Sequence, residues 1–354
     1  MLIYLILVLE ILILNFLRRM GRLSKIAFCL ILGISFVLIT GLRSNNVGSD
    51  TTLYYLNFKE MAEVPFKEIL YSEKRDKLFY IVSWLISNTT GSFVLFTILT
   101  AVMFYYPVMK LFYKYSDDCG LSCLILLAFN FFQFSMTGMR QTIAFGFSIL
   151  FFLELRKEKI SIWKSAIYII LGICFHRSCI IALLLPLLKS LGKNKIFVIA
   201  ATILIPIFFI FRNEIISSLD GVFEYLGFEE IEGETAGAGM TTFLVYLALT
   251  VIGLFLLRED ENKEFSLDEL ILIIIMGTAM QALVLSNSIF FRIAWYFAIY
   301  FTIHIPKITA KSILIKHEAR IVELLVYLAV LFMYLFITKG SATVLPYEFF
   351  WQGN

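Results

Sequence analysis

Charged side chains are scarce in this sequence. Only 16% of its 354 residues are Asp, Glu, Lys or Arg, whereas 60% are hydrophobic and the mean hydropathy is +0.87. This composition lies outside the range of soluble domains and predicts an integral membrane protein. No P-loop is present. A net charge of +3 says little about partners by itself, and we expect no nucleic-acid partner.

The five cysteines form no metal-binding or redox pattern. Cys119 and Cys123 are spaced C-x3-C, and Cys174 and Cys179 flank the segment FHRS without C-x-x-C spacing. We interpret the cysteines as small buried hydrophobic residues. No D-x-D element or Asp/His cluster occurs in the segments that we place outside the membrane, so we expect neither a metal site nor a cofactor.

Long apolar runs predict an all-α, polytopic membrane helix bundle with about ten full crossings, which forms a single transmembrane domain over residues 1–354. The predicted crossings lie near residues 2–17, 24–42, 92–113, 120–137, 141–155, 196–211, 240–257, 269–286, 289–306 and 321–338. The apolar stretch 78–91 is too short for another crossing, and we expect it at the outer surface or dipping into it.

Basic residues predict the orientation of the chain. The segment RRMGRLSK follows the first apolar run, which is the reverse of a cleavable signal peptide and indicates a first helix that starts outside. The segments 156–164 and 189–195 are both basic and are predicted to be cytoplasmic, so the chain between them must form a short or re-entrant hairpin with FHRS, residues 175–178, at its tip. Both termini and the loops of about 43–77 and 212–239 are then outside.

Arg140 is the only charged residue between positions 121 and 153. At about 1.5 Å per residue this stretch is too long for one crossing, so we interpret Gly138 and Arg140 as the outer turn of a tight hairpin. Several other polar residues fall on the same side, namely Arg43, Asp50, His176, Arg177 and Arg292.

The sequence shows no matching row of carboxylates beside these arginines. Each arginine alone could equally extend to lipid phosphates, but together they indicate an anionic partner. Guanidinium groups bind phosphate oxygens in pairs, and a diphosphate has enough oxygens for two or three of them.

Five segments follow one another along the chain: GLRSNNVGSDTTLYY, MTGMRQTIAFG, GICFHRS, FFRIAWYF and LPYEFFW. In this series the chain resembles the EpsG family of bacterial exopolysaccharide polymerases, which are similar in function to Wzy polymerases. The resemblance implies a metal-independent, glycosyltransferase-type polymerase of the bacterial cytoplasmic (inner) membrane, in exopolysaccharide or capsule biosynthesis. Its substrate would be an undecaprenyl-diphosphate-linked oligosaccharide, polymerised at the outer face of the bilayer, with chain-length regulators and export proteins as further partners.

The resemblance also assigns residues. Arg43 matches the first arginine of the family pattern, and Gly48 and Asp50 match its G-[ST]-D element. Arg140 and Gln141 match the family's RQ pair, His176 matches its histidine and Arg292 matches its late arginine. We expect the diphosphate to be bound by arginines, which are Arg43, Arg140, Arg177 and Arg292. His176 or Asp50 would take the proton of the acceptor hydroxyl. The substrate would be positioned by Gln141, Gly48 and Tyr54.

Alternatives from other classes stay open. An exporter or flippase of lipid-linked saccharide would also use basic residues, but usually with internal repeats, of which we find no sign. A membrane acyltransferase that modifies polysaccharide would need a histidine, and His176 alone does not distinguish it. His176 could instead bond a backbone carbonyl, and Asp50 could orient Arg43, bind a sugar hydroxyl or cap the helix beginning TTLYYLNF. A rhomboid-like protease is excluded because no G-x-S-G pattern occurs.

Overall fold

The computed structural model describes residues 2–71, 76–192, 194–218, 236–256, 267–287, 290–311, 316–340 and 344–352. Within these ranges the chain is helical, apart from turns and one isolated antiparallel bridge between Arg43 and Phe349. The predicted all-α class is therefore confirmed. Most of the acidic residues of the expected loop 212–239 lie at positions 219–235, outside the described residues.

The chain divides into two compact units, and the first comprises Met1–Ile180 and Arg320–Asn354. Its helices are α1 (Leu2–Arg19), α2 (Lys25–Gly41), α3 (Thr51–Glu60), α4 (Phe66–Tyr71), α5 (Lys77–Thr90), α6 (Phe93–Tyr115), α7 (Cys119–Ala128), α8 (Phe131–Ser135), α9 (Met139–Leu155) and α10 (Ile162–Phe175). A 3-10 helix, Arg177–Leu183, follows α10 and contains the boundary between the units.

The second unit comprises Ile181–Ala319. Its helices are α11 (Leu184–Leu191), α12 (Lys195–Ile210), α13 (Arg212–Ser218), α14 (Ala236–Leu256), α15 (Leu267–Leu283), α16 (Phe290–Ala298) and α17 (Phe301–Lys311). The last helix, α18 (Lys316–Gly340), belongs to the first unit from Arg320 onward.

Polar residues start several of these helices. The hydroxyl groups of Ser24, Ser92 and Ser161 accept hydrogen bonds from the backbone N–H groups three residues later, at the starts of α2, α6 and α10. The carboxylate of Asp118 caps α7 in the same way, with the N–H of Gly120 at 3.0 Å. Such side chains satisfy N–H groups that have no partner within the helix, so they determine where each helix begins.

An aromatic core in the first unit joins the helices that hold the candidate site. It contains buried side chains from α3, α5, α6, α9 and α10, which are Tyr54, Phe58, Phe79, Ile86, Phe93, Phe96, Met139, Ile143 and Phe175. Gly146 of α9 lies so close to α6 that a Cβ atom would overlap the carbonyl oxygen of Met103. The stretch 78–91 therefore packs as α5 against the same core that positions α9 and α10.

Helix α6 is long and apolar enough to cross a membrane, and α12 and α13 reach this length together across a bend of 87°. The described ranges also contain shorter apolar helical stretches of 10–17 residues. About ten full crossings are therefore not confirmed. The predicted crossing 120–137 is divided into α7 and α8 near Asn130, which has a φ of 66°, and the predicted crossing 289–306 is divided into α16 and α17.

Burial of the cysteines follows the prediction with one exception. Cys29, Cys119, Cys123 and Cys179 are buried, whereas Cys174 is exposed. The interpretation of Cys174 as a buried residue is wrong, because it occupies a face of α10 opposite the buried Gly172 and Phe175.

Candidate functional site

An ion pair between Asp76 and Arg140 lies at the start of α9. The Nη1 atom of Arg140 is 3.1 Å from Oδ2 of Asp76, and 7% of the Asp76 side chain is exposed against 33% of the Arg140 side chain. The expectation that the arginines lack carboxylate neighbours is wrong at this position. The bond to Asp76 orients the guanidinium of Arg140. Because a guanidinium has five N–H donors, the exposed edge of Arg140 can still donate to an anion.

Asp76 also contacts the FHRS segment. Its Oδ1 accepts a hydrogen bond of 3.4 Å from the backbone N–H of Arg177. The φ angle of Asp76 is 59°, in the left-handed region, where residues other than glycine are strained and which Asp tolerates better than most. The carboxylate of Asp76 therefore bonds to Arg140 and Arg177, which lie 64 and 101 positions after it in the sequence.

Sequence reasoning missed Asp76 because of its neighbours. It follows the polar stretch YSEKR, in which charges of both signs are typical of a solvated loop. The available signal was weak: only Lys77 separates Asp76 from the apolar run LFYIVSWL, and an acidic residue in such a place is usually only a helix cap. Its side chain makes no capping bond to α5.

His176 follows the last residue of α10. Its Nδ1 lies 2.6 Å from Oγ of Ser178, and the backbone N–H of Ser178 donates to the same nitrogen at 3.3 Å. Because a backbone N–H can only donate, it favours the neutral tautomer with the proton on Nε2. The Ser178 hydroxyl can donate or accept and therefore fits either tautomer. His176, the predicted base, thus directly precedes Arg177, whose backbone N–H bonds to Asp76.

Tyr54 of α3 lies beneath Arg140. The guanidinium carbon of Arg140 is 5.9 Å from the centroid of the Tyr54 ring, within the range of a cation–π contact. Burial raises the pKa of the Tyr54 hydroxyl, and the positive charge of Arg140 opposes this shift without reversing it. The phenol therefore keeps its proton at neutral pH and supports Arg140 as a neutral ring.

Arg43 is buried and bonds to backbone carbonyls. Its Nη2 donates to Met136 at 3.1 Å, its Nε donates to Val47 at 3.3 Å and its Nη1 donates to Thr40. Burial lowers the pKa of Arg43 to about 10, so the guanidinium is still charged at neutral pH. These bonds connect the end of α2, the following loop and the chain before α9, and the expected contact of Arg43 with diphosphate stays a prediction.

Gly48 allows the loop after α2 to reach the carbonyl of Met136. Its φ is +100°, and a Cβ atom there would overlap this carbonyl oxygen. The hydroxyl of Thr51 donates to the same oxygen at 2.9 Å and to that of Val47 at 2.8 Å. Gly48 therefore positions the backbone that carries Asp50 and α3.

Asp50 occupies the N-cap position of α3, as one interpretation of the sequence expected, but its carboxylate makes no capping hydrogen bond. It accepts a hydrogen bond of 2.9 Å from the hydroxyl of Ser49 and is partly exposed. The bonds of Arg43 to three carbonyls hold that guanidinium without Asp50. A catalytic role for Asp50 stays a prediction.

Two other predicted residues lie on helices. Gln141 is buried in the first turn of α9, next to Arg140. Arg292 belongs to the second unit, in the first turn of α16, with its guanidinium carbon 5.8 Å from the Phe291 ring centroid. The structure therefore brings together Tyr54, Arg140, His176 and Arg177 of the predicted set around the unpredicted Asp76.

Among the described residues, no group of three or more His, Cys, Asp or Glu side chains is arranged to hold a metal ion.

No curated protein and no solved structure matches the chain significantly. The model of one protein family matches residues 26–349, a range that begins in α2, includes every residue of the site around Asp76 and ends at Phe349 beside Arg43. This match covers nearly the whole chain and agrees with the resemblance seen in its motifs: the chain belongs to the EpsG family, which is associated with glycosyl polymerisation in exopolysaccharide biosynthesis.

Proposed function

We propose that this chain is a multi-pass enzyme of the bacterial cytoplasmic membrane that polymerises undecaprenyl-diphosphate-linked oligosaccharide repeat units. It transfers the growing glycan from its lipid diphosphate to a sugar hydroxyl of the next unit at the outer face of the membrane. The product is an exopolysaccharide or a capsule. Membership of the EpsG family supports this class of reaction.

The observation that carries the proposal is the convergence of the Arg140 guanidinium and the backbone N–H of Arg177 on the carboxylate of Asp76. Undecaprenyl diphosphate is the leaving group, so negative charge develops on its bridging oxygen when the glycosidic bond breaks. An arginine fixed beforehand beside that oxygen stabilises the transition state without the cost of reorganisation. Asp76 holds the guanidinium of Arg140 from one side, and the partly exposed side of Arg140 faces the substrate.

Deprotonation of the acceptor hydroxyl is assigned to His176, which directly precedes Arg177. The acceptor hydroxyl oxygen attacks the anomeric carbon, the bond from that carbon to the diphosphate breaks, and the hydroxyl proton passes to a base. His176 is the candidate base. In the tautomer that the Ser178 backbone N–H favours, Nδ1 is the basic nitrogen. To act through Nε2, His176 must instead carry its proton on Nδ1, which then donates to the Ser178 hydroxyl, and the bond from the Ser178 backbone N–H must be given up.

Polymer synthesis from purified components tests this proposal. The protein is reconstituted in vesicles with lipid-linked repeat units, and polymer length is measured per amount of protein. Arg140→Lys keeps the charge but loses the planar pair of donors, so we expect activity to fall roughly 30-fold or more while the protein still inserts. Arg22→Lys is the matched control, because Arg22 is exposed and lies outside the site.

Two outcomes would contradict the proposal. Full-length polymer from Arg140→Lys would show that Arg140 only contacts lipid headgroups, for which a lysine serves equally well. Transfer of lipid-linked saccharide across the membrane without any polymer would favour the exporter, and incorporation of acyl groups into finished polysaccharide would favour the acyltransferase.

A further inference from the structure

Three aromatic side chains near the C-terminus take no part in the proposed reaction. Phe349 and Trp351 stack with their ring centroids 4.4 Å apart and their planes 5° from parallel. Phe350 lies edge-on to Trp351 at 4.9 Å. We call these three residues the aromatic platform. Trp351 is 59% exposed and Phe350 is 43% exposed, although both are large hydrophobic side chains.

The backbone under the platform is firmly attached to the first unit. Phe350 donates its N–H to the carbonyl of Leu42 at 2.9 Å, and Ser44 donates its N–H to the carbonyl of Glu348 at 2.8 Å. Gln352 closes the segment on itself, because its side-chain oxygen accepts the N–H of Phe349 at 2.8 Å.

Two tyrosines fix the preceding residues of this segment. The hydroxyl of Tyr347 donates to the carbonyl of Ile39 at 2.7 Å, and the hydroxyl of Tyr4 donates to the carbonyl of Val344 at 2.8 Å. The platform is therefore held in one conformation before any ligand arrives. A rigid aromatic surface loses little conformational entropy on binding, which favours a recognition role.

The platform follows the last helix, and the basic residues of the sequence predict that the C-terminus lies outside the membrane. Residues 344–352 contain turns and a single bridge and no helix, a form of backbone that is not found exposed to lipid tails. In this topology the exposed rings of Phe350 and Trp351 lie at the outer face, where they can contact water, lipid headgroups or a ligand.

We propose that the aromatic platform binds an uncharged pyranose ring of the oligosaccharide that the substrate carries. This inference rests on the proposed function. One face of a pyranose is lined by polarised C–H groups, which match the negative face of an aromatic ring. Glu348 and Gln352 flank the platform in the sequence, offer oxygens and an amide to sugar hydroxyls, and add no positive charge that would select an acidic sugar.

The platform and the arginine site share one scaffold. Phe349 pairs with Arg43, and Arg43 donates to the carbonyl of Met136, four residues before Arg140. Binding of a sugar ring at the platform can therefore contribute to the correct placement of the reacting end of the substrate.

Tryptophan fluorescence provides the test. The probe is the lipid-free oligosaccharide released by mild acid from the polysaccharide of the bacterium that makes this protein. We expect it to quench the fluorescence of the reconstituted wild-type protein, and of Trp163→Phe, in a saturable way. Trp163 is the matched control because it is 81% exposed but lies at the start of α10. The affinities of the Trp351 variants are measured by isothermal titration calorimetry, because these variants lack the fluorescent reporter. Trp351→Leu, which keeps an apolar side chain without a flat face, should bind about tenfold more weakly or worse, and Trp351→Phe should retain most of the affinity.

Two results would overturn the platform. One is unchanged affinity for the oligosaccharide in Trp351→Leu. The other is quenching of Trp351 by lipids brominated close to their headgroups, combined with no response to the oligosaccharide, which would assign these rings to the membrane interface.

Failure of the platform is distinguishable from failure of the proposed function. Saturable oligosaccharide binding that depends on Trp351, in a protein that makes no polymer, would support the platform and contradict the polymerase. Polymer synthesis at the normal rate by Trp351→Leu, without any oligosaccharide binding to the wild type, would contradict the platform and leave the polymerase intact.

Discussion

Arg43 donates a hydrogen bond of 3.1 Å from Nη2 to the carbonyl oxygen of Met136, 93 residues further along the chain. Thr51 donates to the same oxygen, and Gly48 lies directly against it. This carbonyl is the point where the loop after α2 meets the residues that lead into α9. The position of Arg140 therefore depends on the bonds that Arg43 and Thr51 make to the chain before α9.

Replacing Gly48 by alanine should destabilise the protein. The φ of +100° already strains an alanine, and its Cβ atom would also overlap the Met136 carbonyl, so we expect a loss of about 3 kcal/mol or more. Gly21→Ala is the matched control, because Gly21 has a φ of +73° and no atom lies within 4 Å of the place that a Cβ would take. This substitution should cost only about 1–2 kcal/mol. Thermal unfolding in detergent measures both, and equal losses would contradict the close approach.

Arg43→Lys should lower stability more than it lowers catalysis. A lysine has a single ammonium and cannot bond three carbonyls held in the plane of a guanidinium, so we expect a loss of about 1–3 kcal/mol. If Arg43 acts only through these carbonyl bonds, polymer made per folded molecule should change by less than about threefold. A variant as stable as the wild type but inactive would instead support direct contact of Arg43 with the diphosphate.

Asp76→Asn should reduce polymerisation without unfolding the protein. Asparagine has nearly the same shape and tolerates a positive φ, so the backbone at 59° is preserved. It removes the charge that orients Arg140, and we expect a rate lower by about tenfold to a hundredfold. Asp117→Asn is the control, because Asp117 is exposed and outside the site. The measurement is polymer length per folded protein, and wild-type rates in Asp76→Asn would refute the orienting role.

Asp118 should make stability depend on pH in the acid range. It pairs with Arg18 at 3.3 Å and with Arg19, and it accepts the hydroxyl of Tyr327 at 2.6 Å. Burial acts against its charged form, but the bond from Tyr327 and the charge of Arg19 outweigh this and hold the pKa of Asp118 below its ordinary 3.8.

The sign of this dependence follows from the lowered pKa. The contribution of Asp118 is fully present above the ordinary pKa of 3.8 and is lost as the pH falls through the lower pKa of the folded state. In detergent, the wild type should therefore be more stable than Asp118→Asn at pH 5–7, and the difference should shrink below about pH 4. A constant difference across this range would contradict the ionic role.

Residue patterns predict the helical class and the turn before Arg140, because apolar runs, polar helix starts and Gly138 act over a few residues. They did not predict that Asp76 pairs with Arg140, since this contact spans 64 residues and depends on how α5 and α9 pack. One alternative for Asp50 was the N-cap of α3, and Asp50 occupies this position without the capping bond, because residue type predicts a cap position but not the rotamer that completes the bond. The broken crossing at Asn130 depends on one backbone angle that no apolar pattern reveals.

The first unit is assembled from two stretches of chain separated by the whole of the second, because it contains Met1–Ile180 and Arg320–Asn354. A ribosome therefore delivers Leu42 and Ser44 long before Glu348 and Phe350, their backbone partners. Until those last residues emerge, the backbone carbonyl of Leu42 and the N–H of Ser44 lack the partners that they have in the folded protein. The contact that closes the first unit is therefore among the last to form during synthesis, whereas the contacts of Asp76 with Arg140 and Arg177 need only residues made much earlier.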